Sequence, residues 1–267
     1  MVRELLQTIL REQLGKQPQS VALSFSGGTD STVLFFVLRD LGVLPTLYTY
    51  VVKGKDTPDL QRARYIHKAY GAPLVVCQIP TGEATIIRDV RSIIKDGIVG
   101  KVCIQCVHGH YYVAPQVKER VIFNGSGVDG LYGAYRTYAF DGSRKDKVIF
   151  DRSRAAHFSN PNDDAMVYQS GLFQKFGVQV MYPYRDARFV EWLMSKSWVE
   201  INRPRLKWIV VREFPEIVQA KGYYRPRGSQ QIMAGTRALH DKLLASKINL
   251  GHRRVDEVYK DIVAGRV

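Results

Sequence analysis

The sequence predicts an α/β protein: a mostly parallel sheet with helices on both faces, followed by a mainly helical C-terminal part. Three observations predict it. Short, apolar, β-rich runs alternate with stretches of helical period through the first half, the signature of parallel strands joined by crossover helices. Beyond residue 164 the helical period continues without that alternation. The 267 residues, 45% of them hydrophobic, supply a core for one large domain or two small ones.

The elements follow in order. Leu5, Leu6, Ile9, Leu10 and Leu14 repeat at helical spacing, which predicts a helix over Met1 to Lys16. Val21 to Ser26 reads as a buried strand, Thr29 to Leu41 as a helix stopped by Gly42, and Thr46 to Val52 as a second strand. A helix over Pro58 to Tyr70, stopped by Gly71, leads to a third strand, Pro73 to Ile79. A helix around Tyr111 to Glu119 precedes a fourth, Val121 to Asn124. Tyr135 to Asp164 is rich in Arg, Lys, Asp, Ser and Asn without a clean period and reads as an irregular excursion. Helices are then expected over Asp163 to Phe176, Arg188 to Ser195, Leu206 to Phe214 and Gly228 to Leu244. This divides the chain into a nucleotide-binding α/β core (1–134), a basic excursion (135–164) and a mainly helical part completing the site (165–267).

Composition bounds the function. Lys plus Arg is 39 against 25 Asp plus Glu, a net charge of +14, which favours polyanionic partners such as nucleic acid or a phosphate-rich substrate. The absence of a long apolar run argues against a membrane span or membrane partner, and charges throughout Met1 to Gln17 argue against a secretory leader. Three cysteines make no disulfide framework and suit a reducing compartment, so a cytoplasmic location is expected.

The sharpest local signal is Ser24-Phe25-Ser26-Gly27-Gly28-Thr29-Asp30-Ser31, between a predicted strand and a predicted helix. Small residues there let backbone N–H groups approach a phosphate, Ser26 and Ser31 add hydroxyls, and the helix presents its positive end. Asp30 would repel a phosphate and makes sense as a ligand of Mg²⁺ that bridges carboxylate and phosphate. Neither a Walker A loop nor a G-x-G-x-x-G fingerprint occurs.

This string resembles the signature of the PP-loop ATP pyrophosphatases, which split ATP between the α and β phosphates and adenylate a carbonyl or amide oxygen. The resemblance implies a five-stranded sheet of HUP type with ATP at the carboxyl ends of its strands. Asn124-Gly125-Ser126-Gly127-Val128-Asp129-Gly130-Leu131-Tyr132-Gly133-Ala134-Tyr135 resembles the S-G-E-G-S-D-E-x-F-G-G-Y segment of asparagine synthetases. Gly177 to Glu191 resembles their G-V-E-x-R-x-P-F-L-D-x-x-x-V-E stretch, Lys207 to Glu213 their K-x-x-L-R-E helix with one extra residue, and Tyr224 to Gly228 their basic R-x-K-x-G. The resemblance implies that Asp30 and Asp129 hold magnesium and pyrophosphate. It makes Ser24, Ser26, Gly27, Gly28 and Ser31 phosphate-loop positions, sets Asn124 and Gly125 beside the adenosine, and brings Lys207 near the α-phosphate. The chain departs from the pattern at Ser126 and Gly130, where the family has glutamates, which argues against aspartate as substrate. The loop begins within the first 30 residues and Met1 is followed by Val2, so no glutaminase nucleophile is expected. Free ammonia, or an amine or ammonia supplied by a partner, would then be the nucleophile.

Cys103-Ile104-Gln105-Cys106-Val107-His108-Gly109-His110 offers a competing branch. Its C-x-x-C resembles that of the PP-loop tRNA thiolation enzymes, whose cysteines hold an iron–sulfur cluster or carry sulfur, and Cys77 would be a third ligand. Thiolates with His108 or His110 also suit Zn²⁺, and the same cysteines equally suit small buried hydrophobes. In the excursion, Arg136, Arg144, Lys145, Lys147, Arg152 and Arg154 interleave with Tyr135, Tyr138, Phe140, Phe150 and Phe158. That pattern suits phosphate contact and base stacking, or a solvated loop that packs its aromatics on the domain. The leading expectation is an ATP- and Mg²⁺-dependent, AMP-forming enzyme acting on a small acidic or nucleotide substrate. A nucleic-acid thiolase and a non-catalytic, ATP-binding RNA-binding protein are the alternatives.

Overall fold

The computed structural model describes residues 2–15, 20–98, 100–133, 144–158, 164–219, 234–248 and 255–266. Five strands form one sheet: β1 (Ala22–Ser24), β2 (Thr46–Val52), β3 (Leu74–Ile79), β4 (Val121–Asn124) and β5 (Gln179–Met181). Their order is β3-β2-β1-β4-β5 and every described pair is parallel. Successive side chains of a strand face opposite ways, and the core divides accordingly. Leu23 and Phe123 pack into one apolar cluster, their neighbours Ala22 and Ile122 into the other.

On the first face lie α1 (Val2–Leu14), α2 (Thr29–Asp40) and α3 (Pro58–Tyr70). The α3 helix is bounded as its residues dictate: Thr57 caps the Leu60 N–H, Pro58 opens the first turn, and Gly71 ends it at φ 73°. On the other face lie α4 (Glu83–Lys95) and α5 (Lys101–Val113). The chain continues through α6 (Asp129–Tyr132), α7 (Arg144–Phe158), α8 (Asp164–Gln174), α9 (Ala187–Met194), α10 (Trp198–Asn202), α11 (Trp208–Val211) and α12 (Pro215–Gln219). It ends with α13 (Thr236–Ile248) and α14 (Val255–Val263), both packed on the second face. No described helix is long and apolar enough to cross a membrane.

Four differences from the sequence reading have physical causes. The helix expected around Tyr111 to Glu119 runs earlier, over Lys101–Val113. It is buried nearly all round, at Ile104, Val107, His108, Gly109 and His110, so it carries no amphipathic period. Glu83–Lys95 is also helical, with Ile86, Val90 and Ile93 on its buried face. Within the stretch read as irregular, Arg144–Phe158 is a helix whose inward face includes Phe150 and the charged Arg154. Lys207 lies outside the helix expected over Leu206 to Phe214, which is a single turn beginning at Trp208.

Candidate active site

The strand order reverses beside β1: β2 and β3 lie on one side, β4 and β5 on the other. Open α/β sheets bind ligands in the crevice at the carboxyl ends of the strands at such a switch point. Ser24 ends β1 and pairs in register with Asn124, which ends β4. The two motif segments, about a hundred residues apart in sequence, therefore leave the sheet side by side. They touch: a Cβ added to Gly125 would stand 3.3 Å from both the Asp30 Cβ and the Ser31 N.

The first segment is a loop wired to itself. The Ser26 N–H donates to Ser31 Oγ at 3.2 Å, the Gly28 N–H to Ser26 Oγ at 3.2 Å, and the Ser31 hydroxyl to the Gly28 carbonyl at 3.2 Å. Gly27 turns the chain at φ 67°, and a Cβ there would meet the Asp59 carbonyl of α3 at 2.9 Å. The loop needs glycine for its backbone angle and for its closeness to α3. Arg62, also on α3, donates from Nη1 to the Gly27 carbonyl at 2.9 Å and stands 3.4 Å from Asp59 Oδ1. This buried pair under the loop escaped the sequence reading, because nothing in an amphipathic helix marks which charged residue turns inward.

Beneath the crevice runs a buried polar shelf. Ser24 Oγ lies 3.3 Å from His110 Nε2, and the Asn124 amide donates to Gln169 Oε1 at 3.1 Å. Gln169 Nε2 lies 3.5 Å from His110 Nδ1 and closes the line. Asn124 Oδ1 accepts from the Ser126 N–H at 2.9 Å and its hydroxyl at 2.8 Å. Ser24 and Asn124 thus have their side chains engaged in holding the two segments. Burial, opposed by a hydrogen bond with the Cys106 backbone, lowers His110 to about 4, so it is neutral near pH 7.

Three charges converge above the shelf. Lys207 Nζ stands 2.6 Å from Asp30 Oδ2 and pairs with Asp129 Oδ1. The Tyr184 hydroxyl fixes the start of α2 by donating to the Asp30 carbonyl at 2.9 Å. Lys207 is held in the left-handed region, φ 61° and ψ 19°, a conformation costing about 1–3 kcal/mol that persists where its surroundings enforce it. Here the Asn202 side chain enforces it: Oδ1 accepts the Lys207 N–H at 2.9 Å, and Nδ2 donates to the Tyr132 carbonyl at 2.8 Å. Burial raises the Asp30 carboxyl above its ordinary value; Lys207 opposes the rise and Asp129 adds to it. Burial alone would lower Lys207, but Asp129 and Asp30 outweigh it, so the ammonium is kept.

The donor set fits Mg²⁺ with a polyphosphate. Two carboxylates from different elements meet at one positive charge, and oxygen donors of this kind are what a hard divalent cation takes. Gly27 and Gly125 let the loop pack tightly against α3 and let the two motif segments meet, which brings the two carboxylates together. The cysteines make no such set. Cys103 and Cys106 lie on α5 and Cys77 on β3, and the described residues contain no group of three His, Cys, Asp or Glu able to hold a metal. His108 is engaged with Asp89 at 3.2 Å and His240 at 2.9 Å, and His110 with the shelf. Burial pushes the Cys77 thiol up to about 11, away from the thiolate that a metal needs. These residues do not fit a zinc ion or an iron–sulfur cluster.

Of the basic excursion, Arg154 points inward. Its guanidinium donates to the Leu193 carbonyl at 3.0 Å and to Asp151 at 2.7 Å and lies 4.1 Å from the Phe150 ring centre. Buried Phe150 fits the reading in which the stretch packs its aromatics on the domain, while Arg154, read with the basic residues, is turned inward to hold the fold; Arg152 is exposed. Tyr135, Arg136, Tyr138, Phe140 and the segment Tyr224 to Gly228 lie outside the described residues, as do the side chains of Arg144, Lys145, Lys147 and Phe158.

A family model described as asparagine synthase matches residues 1–166. Among solved structures, the chain is similar to a predicted subunit of tRNA methyltransferase from Methanocaldococcus jannaschii. That likeness has 16% identity, covers 79% of this chain and 94% of that one, and has a TM-score of 0.36, too low for any inference to be drawn from it.

Proposed function

The chain belongs to the asparagine synthase family, a PP-loop family of ATP-pyrophosphatase type, and from that premise we propose that it is an ATP-dependent, AMP- and pyrophosphate-forming enzyme. It activates a carboxylate or carbonyl oxygen as an adenylate for attack by ammonia or an amine. The observation that carries this reading is the convergence of Asp30, Asp129 and Lys207 at the switch point of the sheet.

The substrate oxygen attacks the α-phosphorus, the bond to the bridging oxygen breaks, and pyrophosphate leaves with its electron pair. The nucleophile then attacks the activated carbon and AMP departs. Lys207 neutralises charge developing on the α-phosphate, the kind of preorganised stabilisation that lowers such barriers most. The positive start of α2, with the loop that leads into it, receives the phosphates. Asp30 and Asp129 would hold Mg²⁺, which supplies charge neutralisation on the leaving pyrophosphate. With Ser126 and Gly130 in place of acids, the acceptor is a group other than aspartate, and the net charge of +14 favours an acidic or nucleotide substrate.

Asp30→Ala tests the reading. Pyrophosphate release should fall to background while the circular dichroism spectrum is unchanged, because the carboxylate lies in a crevice and leaves little packing behind. Normal turnover by Asp30→Ala would overturn it.

A further inference from the structure

Tyr132 stands out among the residues around the crevice. Its side chain is fully buried, and its hydroxyl has no hydrogen-bond partner among the described residues. Leaving such a group unsatisfied costs about 1–3 kcal/mol, and native structures keep few of them. This one sits at the ion cluster. The Lys207 ammonium lies 5.2 Å from the centre of the Tyr132 ring, and the Tyr132 carbonyl takes the amide of Asn202, the residue that fixes the Lys207 backbone. Burial first, then Tyr184, Asp30 and Asp129, raises its pKa well above the ordinary value, so the phenol remains a neutral donor.

We propose that the Tyr132 hydroxyl is a hydrogen-bond donor held for an oxyanion of a bound polyphosphate, received where Asp30, Asp129 and Lys207 converge. The group has a proton to give and no acceptor among the described residues, and Lys207 engages one oxygen of each nearby carboxylate. An incoming phosphate oxygen is the acceptor that this neighbourhood lacks. The donor makes Tyr132 a positioning residue for the pyrophosphate end of the nucleotide, and the inference rests on the ATP-dependent reading above.

The test is Tyr132→Phe, which keeps the ring and removes only the hydroxyl. Titration calorimetry with Mg²⁺·ATP and with Mg²⁺·pyrophosphate should show both bound about tenfold more weakly than by the parent, the loss expected for one hydrogen bond to a charged group. The ligand-free Tm should stay level or rise, because the variant loses an unsatisfied buried group. Equal affinity in both proteins would overturn the proposal. A Tm several degrees lower would also overturn it, showing that the hydroxyl serves the fold. If neither protein bound either ligand, the ATP-dependent reading itself would fail and the proposal with it.

Discussion

Asp30 and Asp89 are the same side chain in two polar clusters, and the protein moves their acidities in opposite directions. Burial raises Asp30, Lys207 only partly offsets it, and Asp129 adds to it, leaving the carboxyl above its ordinary value. Burial also acts on Asp89, but hydrogen bonds from His108, Tyr112 and Arg88 outweigh it and hold the carboxyl low. Asp89 begins a chain through four helices. It lies 3.2 Å from His108 Nε2; His108 Nδ1 lies 2.9 Å from His240 Nε2; His240 Nδ1 lies 3.0 Å from the Tyr259 hydroxyl. Every group there has a partner, and the chain fastens α13 and α14 to α4 and α5. The crevice keeps a raised carboxyl, a left-handed lysine and a phenol unsatisfied among the described residues. The closed cluster satisfies its polar groups within the fold, whereas the crevice keeps groups whose cost a ligand would relieve under the proposed reading.

The largest effect expected from this contrast is at Lys207. Lys207→Met should lower pyrophosphate release by about a thousandfold, the scale of losing one preorganised charge at the transition state. It also leaves Asp30 and Asp129 facing each other without a cation, so the ligand-free Tm should drop. Adding Asp30→Asn to that variant should restore the Tm and leave the activity lost. Wild-type turnover by Lys207→Met would remove the crevice from the chemistry.

At the closed cluster the effect should be on stability alone. His240→Leu strips a partner from both His108 and Tyr259 and should cost about 3 kcal/mol. For a chain of this size that is roughly 6–12 °C in Tm. The pH dependence sharpens the test. Burial first, then His108, lowers His240 to about 3, and His110 is lowered to about 4. A histidine depressed in the fold contributes stability that is complete above its ordinary value of about 6.5 and is lost as pH falls toward its folded value. Asp89, also depressed, adds its loss only below the ordinary carboxylate value of about 4. Asp30, raised to about 6, works the other way, since its protonation relieves a cost as pH falls, but the two histidines together outweigh it. The wild-type Tm should therefore decline between about pH 6.5 and 4, and His240→Leu should flatten that decline. An unchanged slope would mean that the chain does not carry the acid response.

The same contrast explains what could be read in the residues. The Ser24–Ser31 loop and the Asp129 segment were legible as turns between a strand and a helix because their geometry is local: small residues in one contiguous string. Strands two and four and helix Pro58–Tyr70 were legible to the residue, since caps and breakers mark their ends. What was hidden depends on distant partners. Resemblance marks Lys207 for the site, but its backbone reads as helical in the sequence because its left-handed turn is set by Asn202, not by its own neighbours. His108 and His240 are 132 residues apart and meet only in the folded core. Arg154 looked like a nucleic-acid contact because composition cannot show that its guanidinium turns toward Leu193 and Asp151.

The smallest effect is expected at the C-x-x-C. Cys103 and Cys106 are half-buried on α5, the helix that also carries His108 of the closed cluster and His110 of the shelf. Cys103 packs against the apolar cluster of the second face. The Cys103 thiol comes within 3.7 Å of where a side chain on Gly100 would begin, and the Cys106 backbone carbonyl accepts the Tyr50 hydroxyl at 3.5 Å. Serine preserves that carbonyl and nearly preserves the volume. Cys103→Ser/Cys106→Ser should therefore keep ATP–pyrophosphate exchange within about twofold and lose only about 1 kcal/mol, the usual size for a conservative change in a half-buried position. The measurement pairs the exchange assay with a melting curve. Exchange abolished in a protein that melts normally would give the thiols a part in the chemistry and return sulfur transfer to consideration. Exchange lost together with a large drop in Tm would instead show that α5, through His110 and Ser24, carries the phosphate loop on its packing.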